Sequence, residues 1–300
     1  MTAFEQPSPY PSLLHSMGVG GLFARSESYE EVIGGLSALI SAHRNPAAEI
    51  LRFPPVMSRG QLEKSGYLHS FPHLLGTVCC LHGTENQIRS AVERSKAQAD
   101  WTEALEATDL VLVPAACYPL YPLVATRGRV PRDGLLFDVA CDCFRHEASR
   151  EAGRLVSFRM REFVCVGTSD QILAFRQSWI ARAKELAGSL DLANEIKEAN
   201  DPFFGRAGRL MALAQVEQSL KFEMLIPIRS ESEPTACMSF NYHRDHFSAV
   251  WALRDVSDQA VQTGCVAFGL DRLALALFAR HGSLVDEWPA GVRHALKLTE

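Results

Sequence analysis

Two short segments of the chain carry charged residues at spacings that suit nucleotide chemistry. Phe144-Arg-His-Glu147 places Arg145 and Glu147 two residues apart, and side chains at that spacing on a strand project to one face. A guanidinium binds a phosphate through two parallel hydrogen bonds, and a carboxylate accepts from an amino group such as that of adenine. The same Arg-x-Glu spacing recurs at Arg25 and Arg229, so a surface ion pair is the better explanation of this segment taken alone.

The second segment, Gly269-Leu-Asp-Arg272, lies where a predicted strand meets a predicted helix. An arginine in the first helical turn opposes the helix dipole, which favours anions there by about 0.3–1 kcal/mol. An anionic ligand at the helix start would reconcile Arg272 with the dipole, and so would the carboxylate of Asp271. The segment by itself leaves both interpretations open.

The elements that must carry these segments follow from alternating apolar side chains. Residues 135–147 alternate and predict a strand that ends in Arg145 and Glu147. After a polar loop over 148–153, residues 155–167 alternate again and place Glu162 among apolar neighbours. The two strands therefore predict a hairpin that carries charged groups on an apolar face.

The rest of the chain predicts an α+β fold, since hairpins and helices of unequal length replace a regular β-α-β rhythm. Capping and periodicity predict helices at 29–44 (capped by Ser28), 86–105 and 170–187 (capped within 168–170), strands at 110–113, 221–228, 235–242 and 264–269, and a helix from Leu270. We expect residues 1–28 to form an irregular arm, 29–300 to form one domain, and 188–213 to be a helical insertion within it.

The composition excludes a disordered, collagen-like or coiled-coil protein. The 300 residues are 47% hydrophobic and 22% charged, which is typical of a globular chain. A formal charge of −5 lacks the basic surplus of a dedicated nucleic-acid binder. No leader or membrane span is evident, because proline or charged residues interrupt the apolar stretches, and eight cysteines without a C-x-x-C pair suit reduced thiols. We therefore expect a cytoplasmic protein.

Taken in order, the two charged segments and the strand between them resemble motifs 2 and 3 of class II aminoacyl-tRNA synthetases. The helix over 29–44, followed by Phe53-Pro-Pro55, resembles motif 1, the dimerisation element of that class. The resemblance implies a homodimer built on an antiparallel β-sheet of six or seven strands flanked by helices, with 29–300 as the catalytic domain.

For ATP, the resemblance implies a role for each matching residue. Arg145 would contact the α-phosphate and Glu147 the adenine amino group. Phe158 would cover one face of the adenine, and Arg272 would lie on the other face and reach the γ-phosphate. Arg145 and Arg272 are thus the expected catalytic pair, and Mg²⁺ is expected with ATP.

Finer detail resembles the seryl-tRNA synthetases of the methanogen type, whose second motif 2 strand matches Phe158, Glu162 and Gly167-Thr168. That subgroup implies one zinc ion per subunit, held here by Cys117, Glu162 and Cys265. Spacing would not reveal this set, because its members lie 45 and 103 residues apart. Three protein ligands leave a position on zinc for a substrate amino group.

A late strand beside the active site is matched by Ser239-Phe-Asn241, so Ser239 and Asn241 are the expected substrate residues. Synthetases place a magnesium-binding carboxylate three residues before this serine, where this chain has Ala236. Glu223 or Glu233 can substitute, and the sequence leaves that choice open.

One departure from the synthetases decides the expected function. Only about 28 residues precede the motif 1 helix, where a seryl-tRNA synthetase carries a tRNA-binding domain of domain size. This combination resembles the amino acid:[carrier protein] ligases. It implies ATP-dependent activation of a small amino acid, glycine favoured or else alanine, to an aminoacyl-adenylate. Transfer to the phosphopantetheine thiol of an acidic carrier protein follows, with release of AMP and pyrophosphate and without tRNA.

Two alternatives stay open, namely an enzyme that charges a tRNA bound through a separate partner and a non-catalytic regulatory paralogue. The segment 188–213, with Lys197, Arg206 and Arg209, is the candidate for docking the carrier, although a solvated helix face fits it equally well.

Overall fold

The computed structural model describes residue 10, residues 12–147 and residues 153–298. The described residues leave out 1–9 and 11 of the predicted arm, and 148–152 of the polar loop predicted over 148–153. The strands are β1 (Leu14–Ser16), β2 (Phe23–Arg25), β3 (Glu49–Arg52), β4 (Val56–Ser58), β5 (Thr77–Leu81), β6 (Leu105–Leu112), β7 (Leu135–Phe144), β8 (Ser157–Gly167), β9 (Glu195–Glu198), β10 (Lys221–Ile226), β11 (Thr235–Arg244) and β12 (Gln262–Gly269). The helices are α1 (Glu27–Ala42), α2 (Arg59–Lys64), α3 (Tyr67–Ser70), α4 (Glu85–Lys96), α5 (Leu120–Thr126), α6 (Ser169–Ser189), α7 (Gly205–Glu217), α8 (His246–Trp251), α9 (Leu270–His281) and α10 (Ala290–Ala295). Short 3₁₀ turns lie at Pro72–Leu74, Thr102–Ala104 and Val285–Glu287.

Within the described ranges, seven strands form the central sheet in the order β3-β7-β8-β12-β11-β10-β9. Neighbours are antiparallel except at one edge, where β3 runs parallel to β7. The predicted α+β fold with an antiparallel sheet flanked by helices is confirmed, with this one parallel pair as the difference. A smaller sheet, β4-β6-β5, packs beside it.

None of the helices in the described part of the chain has the length and apolar character needed to span a membrane.

Side-chain alternation on the central strands divides the core between the two faces of the sheet. On β8, Phe163 points to the face covered by α6 and α9 and stacks on Trp179 with ring centroids 4.6 Å apart. Its neighbours Glu162 and Val164 point to the opposite face, where Val164 packs with Phe137 of β7. Glu162 therefore reaches the side of the sheet that α5 and α8 border.

Several predicted boundaries are wrong, by two to nine residues. Strand β7 ends at Phe144, so Arg145 and Glu147 follow the strand rather than belong to it. Helix α1 begins at Glu27 and is capped by Ser26, whose side chain accepts from a backbone N–H, instead of by Ser28. The helix predicted over 86–105 ends at Lys96, and the strand β6 begins already at Leu105.

Two stretches were assigned the wrong kind of structure. The arm is not irregular over 14–25, because β1 and β2 pair there as an antiparallel hairpin. The insertion over 188–213 is not wholly helical, since β9 adds an edge strand to β10 and places Ile196 opposite Met224. Helix α7 begins only after Pro202 and runs to Glu217.

Candidate active site

A cavity of about 480 Å³ opens on the α5 and α8 side of the central sheet. It is bordered by β8, β11 and β12, by the loop between β6 and α5, and by the residues that follow β7. The nine residues to which the resemblance gives a role in binding ATP, substrate or zinc all line this cavity, namely Cys117, Arg145, Glu147, Phe158, Glu162, Ser239, Asn241, Cys265 and Arg272.

At one end of the cavity, Cys117, Glu162 and Cys265 converge. Their potential ligand atoms all lie within 4.8 Å of one another, and all three residues are buried. Cys117 comes from the proline-bounded loop before α5, Glu162 from β8 and Cys265 from β12. The backbone N–H of Cys117 donates to Glu162 Oε1 at 3.3 Å, which ties the loop to the sheet.

The electrostatics of this cluster favour a cation. Burial raises the pKa of the Glu162 carboxyl, and a hydrogen bond to Cys265 together with burial raises the pKa of the Cys117 thiol. Each group becomes an anion when it loses its proton, so the deprotonated set is costly here without a positive partner. Two thiolates and one carboxylate are donors that Zn²⁺ accepts, and three protein ligands leave one tetrahedral position open. The residues therefore fit the predicted metal.

Two side chains of β11 contact Cys265 Sγ, and one of them, His243, was not singled out by the sequence. The amide nitrogen of Asn241 donates to Cys265 Sγ at 3.3 Å and to Ser239 Oγ at 3.0 Å. His243 Nε2 lies 3.7 Å from the same sulfur. Loss of hydration lowers the pKa of His243 to about 3, so the imidazole is neutral at pH 7. His243 lies two residues after Asn241 on β11, so the two side chains share a face, but the spacing alone gave His243 no role.

The other end of the cavity is lined by arginines rather than by thiols and a carboxylate. The guanidinium carbon of Arg145 lies 5.3 Å from the centroid of the Phe158 ring, and its Nε donates to the carbonyl of Pro114 at 3.1 Å. The carboxylate of Glu147 is ion-paired with Arg154. This partner of Glu147 was not predicted, because the two residues are seven positions apart and no motif links them.

Arg272 lies on the cavity side of the first turn of α9. Its Nε donates to the carbonyl of Gly153 and its Nη1 to that of Ala236, both at 2.8 Å. Burial lowers the pKa of Arg272, and the nearby positive charges of Arg145 and Arg154 lower it further. Such a cluster of arginines attracts a phosphate-bearing ligand.

Asp271, which precedes Arg272 in the first turn of α9, has charged partners of its own. Its buried carboxylate accepts from the backbone N–H of Arg159 at 2.5 Å and from Arg159 Nη2 at 2.8 Å, and it pairs with Arg25 Nε at 3.1 Å. The hydroxyl of Tyr29 donates to it at 3.3 Å. Asp271 thus joins α9 to α1, β2 and β8, and its described partners are Arg25 and Arg159 rather than Arg272.

The sequence analysis also missed the ion pairs that Lys221 makes on the cavity wall. Lys221 Nζ lies 2.5 Å from Asp201 Oδ1 and 3.0 Å from Glu223 Oε1. Of the two carboxylates considered for magnesium, Glu223 lines the cavity, whereas Glu233 lies exposed in the turn between β10 and β11. The pairing was invisible in the sequence because Asp201 lies in an irregular segment before α7.

The chain is similar in sequence to several known proteins. It is 57% identical over 286 residues to amino acid–[acyl-carrier-protein] ligase 1 of Bradyrhizobium diazoefficiens, covering 95% of this chain and 88% of that protein. Ligase 2 of the same organism is 56% identical over 289 residues, covering 96% and 86%. The type-2 serine–tRNA ligase of Methanopyrus kandleri is 29% identical over 201 residues, covering 62% of this chain and 38% of that protein. No protein-family model matches the chain.

Solved structures agree on the fold. M. kandleri SerRS in complex with A. aeolicus tRNASec superposes with a TM-score of 0.80 at 21% identity, covering 95% of this chain and 58% of that one. The cytoplasmic serine–tRNA ligase of Naegleria fowleri in complex with AMP gives a TM-score of 0.70 at 14% identity, covering 95% and 62%. The chain thus spans less than two thirds of these synthetases, and it has the fold of their class II core. Because two proteins above 50% identity match nearly its whole length, the chain belongs to the family of amino acid–[acyl-carrier-protein] ligases and is an enzyme.

Proposed function

We propose that the protein activates a small amino acid, glycine or else alanine, with ATP. The product is an aminoacyl-adenylate, from which the amino acid passes to the phosphopantetheine thiol of a carrier protein, with release of AMP and pyrophosphate. The observation that carries this proposal is one cavity that holds a buried donor cluster at one end and Arg145 and Arg272 at the other. The names of the close relatives support the carrier protein as acceptor.

For ATP, we assign the arginine end of the cavity. Arg145 contacts the α-phosphate, Phe158 covers the adenine, Glu147 accepts from its amino group, and Arg272 lies on the opposite side of the ring and reaches the γ-phosphate. Arg145 and Arg272 then stabilise the negative charge on the oxygens of the α-phosphate as the amino-acid carboxylate attacks the phosphorus in line and pyrophosphate leaves. Mg²⁺ accompanies the ATP, and Glu223 on the cavity wall is the candidate carboxylate for it.

For the amino acid, we assign the donor cluster. Cys117, Glu162 and Cys265 hold one Zn²⁺ per subunit, and the bound ion supplies an open position for the substrate's amino group. Ser239 and Asn241 line the adjoining wall. The chain's contribution is to orient the carboxylate toward the α-phosphate, which is positioning rather than acid–base chemistry.

For the carrier protein, we assign helix α7 within the predicted docking segment. Arg206 and Arg209 are exposed there and suit an acidic partner. Leu210 and Leu213 are 66% and 60% exposed, and two large apolar side chains that face water on one helix indicate a surface that a partner covers. Met211 of the same helix lines the cavity, so a thiol delivered at α7 has a short route to the adenylate. Lys197, the third basic residue of the predicted docking segment, lies on β9 instead and pairs there with Glu195.

A homodimer and a cytoplasmic location remain part of this proposal. Strand β3, in the region expected to dimerise, is the edge of the central sheet and leaves Ile50 49% exposed. Light scattering on the purified protein measures the oligomeric state directly.

Amino-acid-dependent exchange of labelled pyrophosphate into ATP tests the activation step. We expect exchange with glycine or alanine and none with large amino acids. Absence of exchange with every amino acid tested would contradict the proposed activation step. The tRNA alternative is a question of the acceptor and needs its own assay.

A further inference from the structure

Two nitrogen donors from β11 converge on a single sulfur atom. Asn241 Nδ2 lies 3.3 Å and His243 Nε2 lies 3.7 Å from Cys265 Sγ on the neighbouring strand β12. Asn241 is already assigned to the substrate wall. His243 has no place in the chemistry described so far, although it lines the same cavity.

The other side of the imidazole meets hydroxyl groups. His243 Nδ1 lies 3.1 Å from Thr263 Oγ1 and 3.3 Å from the hydroxyl of Tyr121. A hydroxyl either donates or accepts, so these contacts suit either tautomer. The sulfur decides between them, because a metal-ligating cysteine is a thiolate and can only accept. The ring proton must then be on Nε2, and Nδ1 accepts from a hydroxyl.

Aromatic side chains hold the imidazole in this orientation. Phe247 lies at right angles to it with ring centroids 5.1 Å apart, and Tyr121 lies at 86° with centroids 6.3 Å apart. Phe247 and Tyr121 stack on each other at 3.9 Å. The ring of His243 therefore has little freedom to turn its Nε2 away from Cys265.

His243 does not belong to the ligand cluster itself. The ligand atoms that all lie within 4.8 Å of one another, among the residues described, are those of Cys117, Glu162 and Cys265. A fourth protein ligand would also close the position that a substrate amino group requires. The imidazole is thus placed beside one ligand rather than on the ion.

We propose that His243 is a positioning residue, whose Nε2–H donates to Cys265 Sγ and fixes that ligand for the metal. The inference rests on the metal site proposed above. Partners of this kind typically change metal affinity by about 10–100-fold when they are removed.

The test measures metal retention in the full-length protein, without substrate. In His243→Phe, which keeps an aromatic ring but loses the N–H, we expect zinc to be lost to a chelator about 10–100-fold more readily than from the wild type. His243→Gln restores an amide N–H near the position of Nε2 and is expected to recover most of the retention. With Co²⁺ in place of zinc, the thiolate-to-metal charge-transfer band should shift in His243→Phe and return in His243→Gln.

Two further variants complete the design. His246→Phe alters an exposed histidine next to Phe247 and is expected to retain zinc as the wild type does. The double variant Tyr121→Phe/Thr263→Val removes only the hydroxyls that face Nδ1 and should weaken retention by a smaller factor, even if His243→Phe does not fold.

The outcomes separate this inference from the proposed function. Wild-type protein that binds no zinc would overturn the metal site, and this inference with it. Zinc-binding wild-type protein beside a folded His243→Phe variant with unchanged retention and an unchanged cobalt spectrum would overturn the role of His243 alone. Unchanged retention in the double variant would contradict the assigned tautomer and hence the role.

Discussion

Glu162 accepts a hydrogen bond from the backbone N–H of Cys117 at 3.3 Å, although 45 residues separate them in the chain. This contact fixes the loop before α5 against β8, at the point where β12 supplies Cys265. The donor cluster is therefore built by three elements that pack against one another rather than by a local sequence motif. Its integrity depends on the central sheet.

The first prediction concerns metal content. Cys117→Ser and Cys265→Ser should each lose bound zinc, because a hydroxyl is a much weaker ligand than a thiolate, whereas the wild type carries about one ion per chain. Cys165→Ser is the matched control. Cys165 is buried like the two ligand cysteines, but it lies on β8 and outside the cluster. Elemental analysis of the purified proteins measures this. Equal zinc in all four proteins would contradict the assignment.

The second prediction separates one Arg-x-Glu segment from another. Arg145→Lys should lower kcat/KM for ATP in pyrophosphate exchange by about 10²–10³, because an ammonium cannot form two parallel hydrogen bonds to the α-phosphate. Arg229→Lys, at the same spacing but exposed before β11, should leave the exchange rate unchanged. If the two variants exchange equally well, Arg145 does not act on the phosphate.

These two sites show what the sequence does and does not reveal. Alternation over 155–167 and the cap at Thr168 were enough to predict β8 and the start of α6, because both signals are local. The cluster of Cys117, Glu162 and Cys265 was accessible only through the family resemblance, since its members come from separate elements.

Other features were not predictable for physical reasons. His243 and the Lys221–Asp201 pair are polar residues on an otherwise ordinary strand and loop, and only the packing of β10, β11 and the segment before α7 gives them partners. Strand β9 was mistaken for helix because an edge strand of four residues leaves little alternation to detect.

The third prediction concerns stability and its dependence on pH. Asp138 is fully buried on β7 and pairs with Arg161 at 2.6 Å, Arg52 at 3.2 Å and Arg44 at 3.4 Å. Burial alone would raise the pKa of Asp138, but Arg161 and Arg52 outweigh it and hold the pKa below its ordinary value. Asp138→Asn should cost about 3–5 kcal/mol of unfolding free energy at pH 7, because Arg161 is left buried without a counter-charge.

The sign of the pH effect follows from the lowered pKa. The ion pairs of Asp138 stabilise the fold fully above the unfolded pKa of about 3.9, and this contribution is lost as the pH falls through the lower folded-state value. The gap between wild type and Asp138→Asn in urea unfolding should therefore narrow below about pH 4. Asp142→Asn, exposed on the same strand, should change the unfolding free energy by less than about 0.5 kcal/mol. A gap that stays constant with pH would rule out this role.

The fourth prediction isolates the docking of the carrier protein. Leu210→Asp should lower kcat/KM for transfer to the carrier by at least about tenfold, because it adds a charge that repels an acidic partner and removes apolar contact. Pyrophosphate exchange should not change, since the exposed side chain of Leu210 is not among the residues that line the cavity. Val92→Asp, on the half-exposed face of α4, is the control and should affect neither assay. A loss of exchange and transfer together in Leu210→Asp would contradict a docking role.

The central claim is that the activated amino acid goes to a carrier thiol, and one assay of the acceptor tests it. The enzyme is incubated with ATP, Mg²⁺ and labelled glycine or alanine, together with a carrier protein in its holo or apo form or with total tRNA. We expect stable label on the holo carrier, released by treatment that cleaves thioesters, and none on the apo carrier or on tRNA. Stable label on tRNA, or equal label on the holo and apo carriers, would contradict it.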